Sequence, residues 1–257
     1  MEKKSEKTNQ MLLRHFQDLS RAASQRNSMM YTDFLNLDEL SLLQAHAREL
    51  DGAVQFYGGQ TSSERQVACF LPDWSDSGED ASFPISCIRV HLPGVKFASK
   101  TLSHRDYLGA ILGLGIDRSK IGDIIVEYKG AYFFCISNIA SFLLDELTQV
   151  GRQSVHCEQI AEEQAPVEAK QEEIRATVSS CRLDAVVGAA FHISRKLSQE
   201  LIEGGRVYLN ARQIQSSHHT PEEGAVISVR GYGKFLYAGE TGQSKKGRLQ
   251  IRLLKYI

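Results

Sequence analysis

The stretch RLDAVVGAAFHISRKLSQELIEGGRVYLN, residues 182–210, carries two helical periods and then a strand. Leu183, Val186, Val187 and Ala190 recur at i, i+3, i+4 and i+7, which places them on one face of a first helix. Ser194 is a natural N-cap for a second helix, whose apolar face is Leu197, Leu201 and Ile202. Gly204-Gly205 ends that helix. Val207 and Leu209 then point one way from a short strand. Downstream, AVISVRGYGKFLYAGE (225–240) and GRLQIRLLKY (247–256) read as further strands. Helices this short are marginal in isolation, so the hairpin must pack on that small sheet.

The charges of this stretch run against its local needs. Arg195 and Lys196 occupy the first turn of the second helix, where cations oppose the helix dipole at a cost of about 0.3–1 kcal/mol each. A bound phosphate reverses the balance, because free backbone N–H groups and both cations then face one anion. Solvated, tolerated cations are the plain alternative, and for an isolated pair they would be the better account. This pair has company. Arg182 opens the first helix, Arg206 opens the strand, and Arg212, Arg230 and Lys234 lie in adjoining turns. Lys245, Lys246 and Arg248 cluster in the loop GQSKKGRLQ, where a solubilising turn and a phosphate contact are equal alternatives. The convergence of cations around one helical hairpin predicts a surface for a phosphate backbone.

The whole chain is not basic. Its 257 residues carry a net charge of −1 and 42% hydrophobic residues, which suits one or two cored domains or three small ones. Residues 181–257 hold 12 Lys and Arg against 6 Asp and Glu, a net of +6, whereas 151–180 is −3 and 1–150 is −4. Such asymmetry points to a polyanionic partner for the C-terminal part. The five cysteines are scattered without a CxxC, which argues against a disulfide framework or zinc site and for a reducing cytosol. The opening MEKKSEKTNQMLLRHF is charged and has no continuous apolar core. Neither a signal peptide nor a membrane span is expected, and a cytoplasmic location is.

Upstream the chain alternates. Residues 8–26 have helical spacing, and NLDELSLLQAHAREL (36–50) is a helix with Asn36 and Glu39 placed as a capping box. AVQFY and RQVACFLP read as strands around the Gly58-Gly59 turn. The polar stretch 73–83 marks a boundary. The middle then reads βαββαβ: a strand at 85–92, a helix capped by Ser103 with Asp106, a hairpin turning at Lys129-Gly130, a helix from Asn138 to Gly151, and a strand at 154–160. This is the order of a split-βαβ, ferredoxin-like sandwich. AEEQAPVEAKQEE is acidic and reads as a linker or exposed arm. The expected class is α+β. The expected divisions are an N-terminal α/β domain (1–80), an RRM-like middle domain (81–160), an acidic linker (161–180) and a C-terminal domain (181–257).

The C-terminal stretch resembles the S4 RNA-binding domain. Arg182-Leu183-Asp184, Ser194, Arg195, Lys196, Ile202, Gly205, Val207, Asn210, Gly224 and Arg230-Gly231 fit its pattern. Ala211 departs from it, since Gly is frequent after the Asn. FLNLDEL, GGQTSSERQVACFLP, LGLGIDRSKIGDIIV and RGYGKFLYAGETGQSKKGRLQI extend the resemblance to the YlmH-type S4 proteins of bacteria, with relatives in cyanobacteria and chloroplasts. SSERQ departs from that family's usual residues, so Glu64 and Arg65 are given little weight as functional residues, with a surface ion pair beside the Gly-Gly turn as the plain alternative. KGAYFFCI (129–136) resembles an RRM stacking motif only in part: Lys129, Gly130 and Phe133 fit, whereas Ala131 and Ile136 replace aromatics. Tyr132 and Phe134 share one face and Phe133 the other; Phe133 is expected to pack rather than stack.

The resemblance implies an RNA-binding protein holding ribosomal RNA or tRNA, associated with the large (50S) subunit and acting in translation quality control. It implies no enzyme, cofactor or metal. Two rivals stand beside it. One is an RNA-modifying enzyme such as a pseudouridine synthase, because Arg-Leu-Asp also opens a catalytic motif there; Asp184 is instead read as a first-turn acid that suits the dipole. The other is a protein-interaction scaffold in cell division or photosystem assembly. His218-His219 lacks neighbours of ligand spacing and is read as plain surface, as is His192. GLGIDRSKIG lacks the residues of a nucleotide-binding loop.

Overall fold

The computed structural model describes residues 2–60, 63–72, 81–93, 102–127, 129–165, 171–244 and 247–256. The chain forms mixed α/β structure divided into two compact units, Met1–Val167 and Glu168–Ile257.

In the first unit, helix α1 (Glu2–Arg26) buries Phe16, Ser20 and Ala23. It is followed by β1 (Met30–Leu35), α2 (Leu37–His46), β2 (Val54–Tyr57) and β3 (Gln66–Phe70). The expected capping box is present at the start of α2: the Asn36 side chain accepts from the Asp38 and Glu39 N–H groups, and Glu39 accepts from the Asn36 N–H at 2.8 Å. Strands pair in the antiparallel order β1-β3-β2. Strand β1 was not anticipated from the sequence.

Next come β4 (Ile85–His91), α3 (His104–Gly113), β5 (Ile121–Glu127), β6 (Gly130–Ile136), α4 (Ala140–Glu146), a small hairpin of β7 (Gln149–Val150) and β8 (Gln153–Ser154), and β9 (His156–Ile160). The sheet runs β5-β6-β4-β9, antiparallel throughout. At the head of α3 the Asp106 carboxylate accepts from both the N–H and the hydroxyl of Ser103, each at 2.7 Å. Strand β6 is buried on both faces. Ala131, Phe133 and Cys135 face a core with Tyr107 and Ile111 of α3 and Ala140 and Leu143 of α4. Tyr132, Phe134 and Ile136 face a second core shared with Phe34 of β1 and Val67 of β3.

The expected division near residue 80 is therefore not a division between cores. The three-stranded sheet covers the open face of the four-stranded one. Glycines allow the approach: a Cβ on Gly59 (φ +93°) would lie 2.2 Å from the Phe134 ring, and one on Gly122 would lie 2.7 Å from the Phe34 ring.

The second unit has β10 (Gln171–Val178), α5 (Leu183–Phe191), α6 (Arg195–Glu203), β11 (Val207–Leu209), β12 (Arg212–Ile214), β13 (Val226–Val229), β14 (Gly233–Gln243) and β15 (Leu249–Tyr256). Its six strands run β10-β15-β14-β13-β11-β12. Leu183, Val186, Val187 and Ala190 of α5 and Leu201 and Ile202 of α6 close the core over Val207, Ile227, Phe235, Ile251 and Leu253.

The linker expected over 161–180 is corrected here. Residues 171–178 are a sheet strand, paired with β15 from Gln171 opposite Tyr256 to Val178 opposite Leu249. Only Ile174 and Val178 of β10 are buried, so its acidic composition reflects an edge strand with one wet face. Residues 166–170 lie outside the described residues. All five cysteines are reduced and buried.

Candidate nucleic-acid interface

The head of α6 is built as the sequence suggests. Ser194 accepts from the Leu197 N–H at 3.1 Å, and α5 ends on His192 in the left-handed region at φ 52°. A Cβ on Gly188 would sit 3.2 Å from both the Ile193 carbonyl oxygen and Ser198 Oγ, so α5 and the start of α6 pack closely there.

Asp184 is the centre of this corner. It is fully buried, and its carboxylate accepts from Arg195 Nε at 2.9 Å, Gln199 Nε2 at 2.9 Å and Arg182 Nη2 at 3.2 Å. Burial is the largest single influence on this carboxyl and pushes its pKa up. The hydrogen bonds from Arg195 and Gln199, then the charges of Arg195 and Arg182, outweigh burial and hold it below the usual carboxylate range. Arg195 is raised in turn, by its hydrogen bond to Asp184 and then by the charge.

Arg195 therefore has a structural partner that the sequence reading did not give it, and Asp184 is more than a first-turn acid. The three close donors all meet Asp184 Oδ2, and the carboxylate is sealed from solvent. Lys196 differs from its neighbour: its side chain is 87% exposed and only approaches Glu200, at 4.0 Å.

A second group lies where β11 meets the β13–β14 turn. The Arg230 N–H donates to the Arg206 carbonyl at 2.9 Å, and Arg206 Nη2 donates to the Arg230 carbonyl at 2.9 Å. Arg230 also donates to the Tyr208 hydroxyl at 3.2 Å, with its guanidinium 5.7 Å from the Tyr208 ring centroid. Arg206, Arg212 and Arg230 are exposed, and Lys234 is half-buried with Nζ 5.0 Å from the Tyr256 ring centroid. Arg248 reaches back to the Thr177 carbonyl at 3.4 Å. Lys245 and Lys246 lie outside the described residues. The structure thus brings Arg182 and Arg195 together on Asp184, and Arg206 and Arg230 together at the turn. The sequence reading missed Gln199 and Tyr208, which hold these cations. It also missed Lys255, whose Nζ lies 5.4 Å from the Phe191 ring centroid. Their neighbours are set by non-local pairing.

The first unit corrects one smaller reading and bears out another. Glu64 and Arg65 are not a surface ion pair. Their N–H groups donate to the Asp123 carboxylate at 2.7 and 3.2 Å, while the Arg65 guanidinium turns inward to the carbonyls of Phe34 at 2.7 Å and Ile121 at 3.0 Å. Burial lowers the Arg65 pKa. It also brings Arg118, which donates to the same Ile121 carbonyl, down to about 10, helped by the charge of Arg65. Phe133 packs, as expected. Tyr132 and Phe134 are also buried, under the three-stranded sheet, so none of the three aromatics of β6 is available to stack on a base. Among the described residues no group of three or more His, Cys, Asp or Glu could hold a metal ion. Among the same residues no helix is long and apolar enough to cross a membrane.

Three comparisons bear on this geometry. A family model described as "Putative RNA-binding domain in YlmH" matches residues 78–164. The protein named "Ribosome-associated protein quality control protein P2" of Bacillus subtilis (strain 168) is 32% identical over 234 residues, spanning 90% of this chain and 89% of that protein. The solved structure "Cell division protein ylmH from Streptococcus pneumoniae" superposes with a TM-score of 0.52 at 24% identity, covering 62% of this chain and 95% of that one. At that identity the likeness is one of fold.

Proposed function

The chain belongs to the YlmH family, and from that premise we propose that it is a ribosome-associated RNA-binding protein whose second unit grips structured RNA through its phosphates. We read α5, α6 and their sheet as an S4-type domain and the β5-β6-β4-β9 sheet with its two helices as RRM-like. The name of the Bacillus relative places that protein in ribosome-associated quality control; for this chain the proposal is association with the large (50S) subunit through ribosomal RNA or tRNA, in the cytoplasm, in the same process. It works by binding, not by a chemical step.

One observation carries this reading. A fully buried carboxylate fixes two guanidiniums at the head of an αα hairpin, while Lys196, one residue on, stays in solvent. A cation pinned by a buried acid loses little further freedom when a phosphate arrives, so the corner is preorganised for an anion. The salt dependence of binding to ribosomal RNA tests it. Affinity should fall steeply with salt, and Lys196→Glu should weaken binding to every RNA tested. The protein should also sediment with large subunits at low salt and leave them at high salt. Binding that ignores both salt and Lys196 would refute the phosphate grip and favour a protein scaffold.

A further inference from the structure

The turn between β13 and β14 is a three-residue loop, Arg230-Gly231-Tyr232, closed by the Val229–Gly233 pair and by the Tyr232 N–H donating to the Val229 carbonyl at 2.9 Å. Gly231 (φ +87°) and Gly233 (φ +114°) supply the left-handed backbone that lifts Tyr232 out of the sheet. Tyr232 is 37% exposed, which makes it the one large exposed hydrophobic residue of the second unit among the described residues.

The ring is braced from below. It lies 5.7 Å from Phe191, tilted at 56°, and Phe191 in turn meets the fully buried Phe235 edge-on at 5.6 Å. Two cations lie near this aromatic column. Lys255 Nζ is 5.4 Å from the Phe191 ring centroid, and the Arg206 guanidinium reaches the turn itself, donating to the Arg230 carbonyl at 2.9 Å. Arg230 and Lys234 are directed to Tyr208 and Tyr256 on the other face of the sheet. An exposed ring on an aromatic footing, with Arg206 at its turn and Lys255 on its supporting ring, matches the chemistry of an unpaired nucleotide: a flat π face beside a phosphate.

We propose that Tyr232 is a stacking platform for an unpaired base of the RNA whose phosphates the second unit grips, a proposal that rests on the grip described above. Bases inside a duplex are already stacked on their neighbours. Only a bulged, looped or flipped nucleotide can reach the ring. The platform would give the protein a preference that phosphate contacts alone cannot supply, selecting a duplex bearing an unpaired base over a continuous one.

The full chain would be titrated against two RNA probes, a fully paired duplex and the same duplex carrying a bulged 2-aminopurine. The wild type should bind the bulged probe more tightly and quench its fluorescence. Tyr232→Ala should weaken the bulged complex by about 5- to 100-fold, abolish the quench and leave duplex affinity in place, which also reports an intact fold. Tyr232→Trp should retain preference and quench. Equal loss on both probes, or no loss on either, would overturn the platform and assign the ring to packing or to a protein contact. A wild type that binds neither probe would overturn the grip and the platform together.

Discussion

Arg195 Nε lies 2.9 Å from Asp184 Oδ2, so the first cation of α6 is tied to the first turn of α5, eleven residues earlier. The link makes the helical corner depend on a charge sealed from water. Asp184→Asn should destabilise the second unit by about 1–3 kcal/mol, because a buried acceptor for three donors is weakened. The pH dependence has a definite sign. The Asp184 pKa is depressed in the folded state, so its contribution is complete above the unfolded value of about 3.9 and is lost as pH falls through the lower, folded value. Urea midpoints of wild type and Asp184→Asn should begin to converge below about pH 4 and meet only below the depressed folded value; a gap independent of pH would contradict the assignment.

The two neighbouring cations should behave differently. Lys196→Ala removes an exposed charge and should leave the denaturation midpoint unchanged, while lowering RNA affinity and reducing the salt slope by about 1. Arg195→Ala should lower both affinity and stability, since it also strips Asp184 of its nearest guanidinium. Charge reversal at Arg195 is consequently a poor test of binding. Parallel anisotropy titrations and urea melts would separate the two effects.

Ala211 completes a two-residue turn between β11 and β12 with φ +64°, following Asn210 at φ +47°. Asn210 is anchored there, accepting from the Val226 N–H at 2.9 Å. Ala in this conformation is strained where Gly is not. Ala211→Gly should raise stability by about 0.5–1 kcal/mol, read as a higher urea midpoint. A drop would mean that the turn relies on the alanine side chain.

Gly59→Ala should act in the first unit. Its Cβ would press on the Phe134 ring at 2.2 Å and force alanine into φ +93°. A loss of about 2–3 kcal/mol is expected from overpacking and backbone strain together, and the truncation Phe134→Ala in the same chain should recover none of it beyond the relief of that one contact. Double-mutant analysis of denaturation midpoints would check this.

What could be read beforehand divides by range. The α2 capping box needs only Asn36 and Glu39, three residues apart, and the αα hairpin follows from apolar spacing and Ser194. Strand β1 and strand β10 escaped because their partners, β3 and β15, lie far along the chain, and because an edge strand like Gln171–Val178 needs only two buried residues. The cations were visible one by one. That Asp184 collects two of them, while Lys196 remains outside, depends on how α5 crosses α6, which no periodicity encodes. Likewise, the burial of Tyr132 and Phe134 follows from a neighbouring sheet rather than from their own strand.

The pairing of β10 with β15 also has a mechanical meaning. Gln171 stands opposite Tyr256 at one end of the ladder and Val178 opposite Leu249 at the other. Backbone hydrogen bonds in an antiparallel pair run perpendicular to the strands. Tension applied between residues 171 and 256 would therefore load them singly, peeling the ladder open from its outer end instead of shearing all rungs at once. Pulled apart at those two residues, the ladder would open as a zipper, one rung at a time.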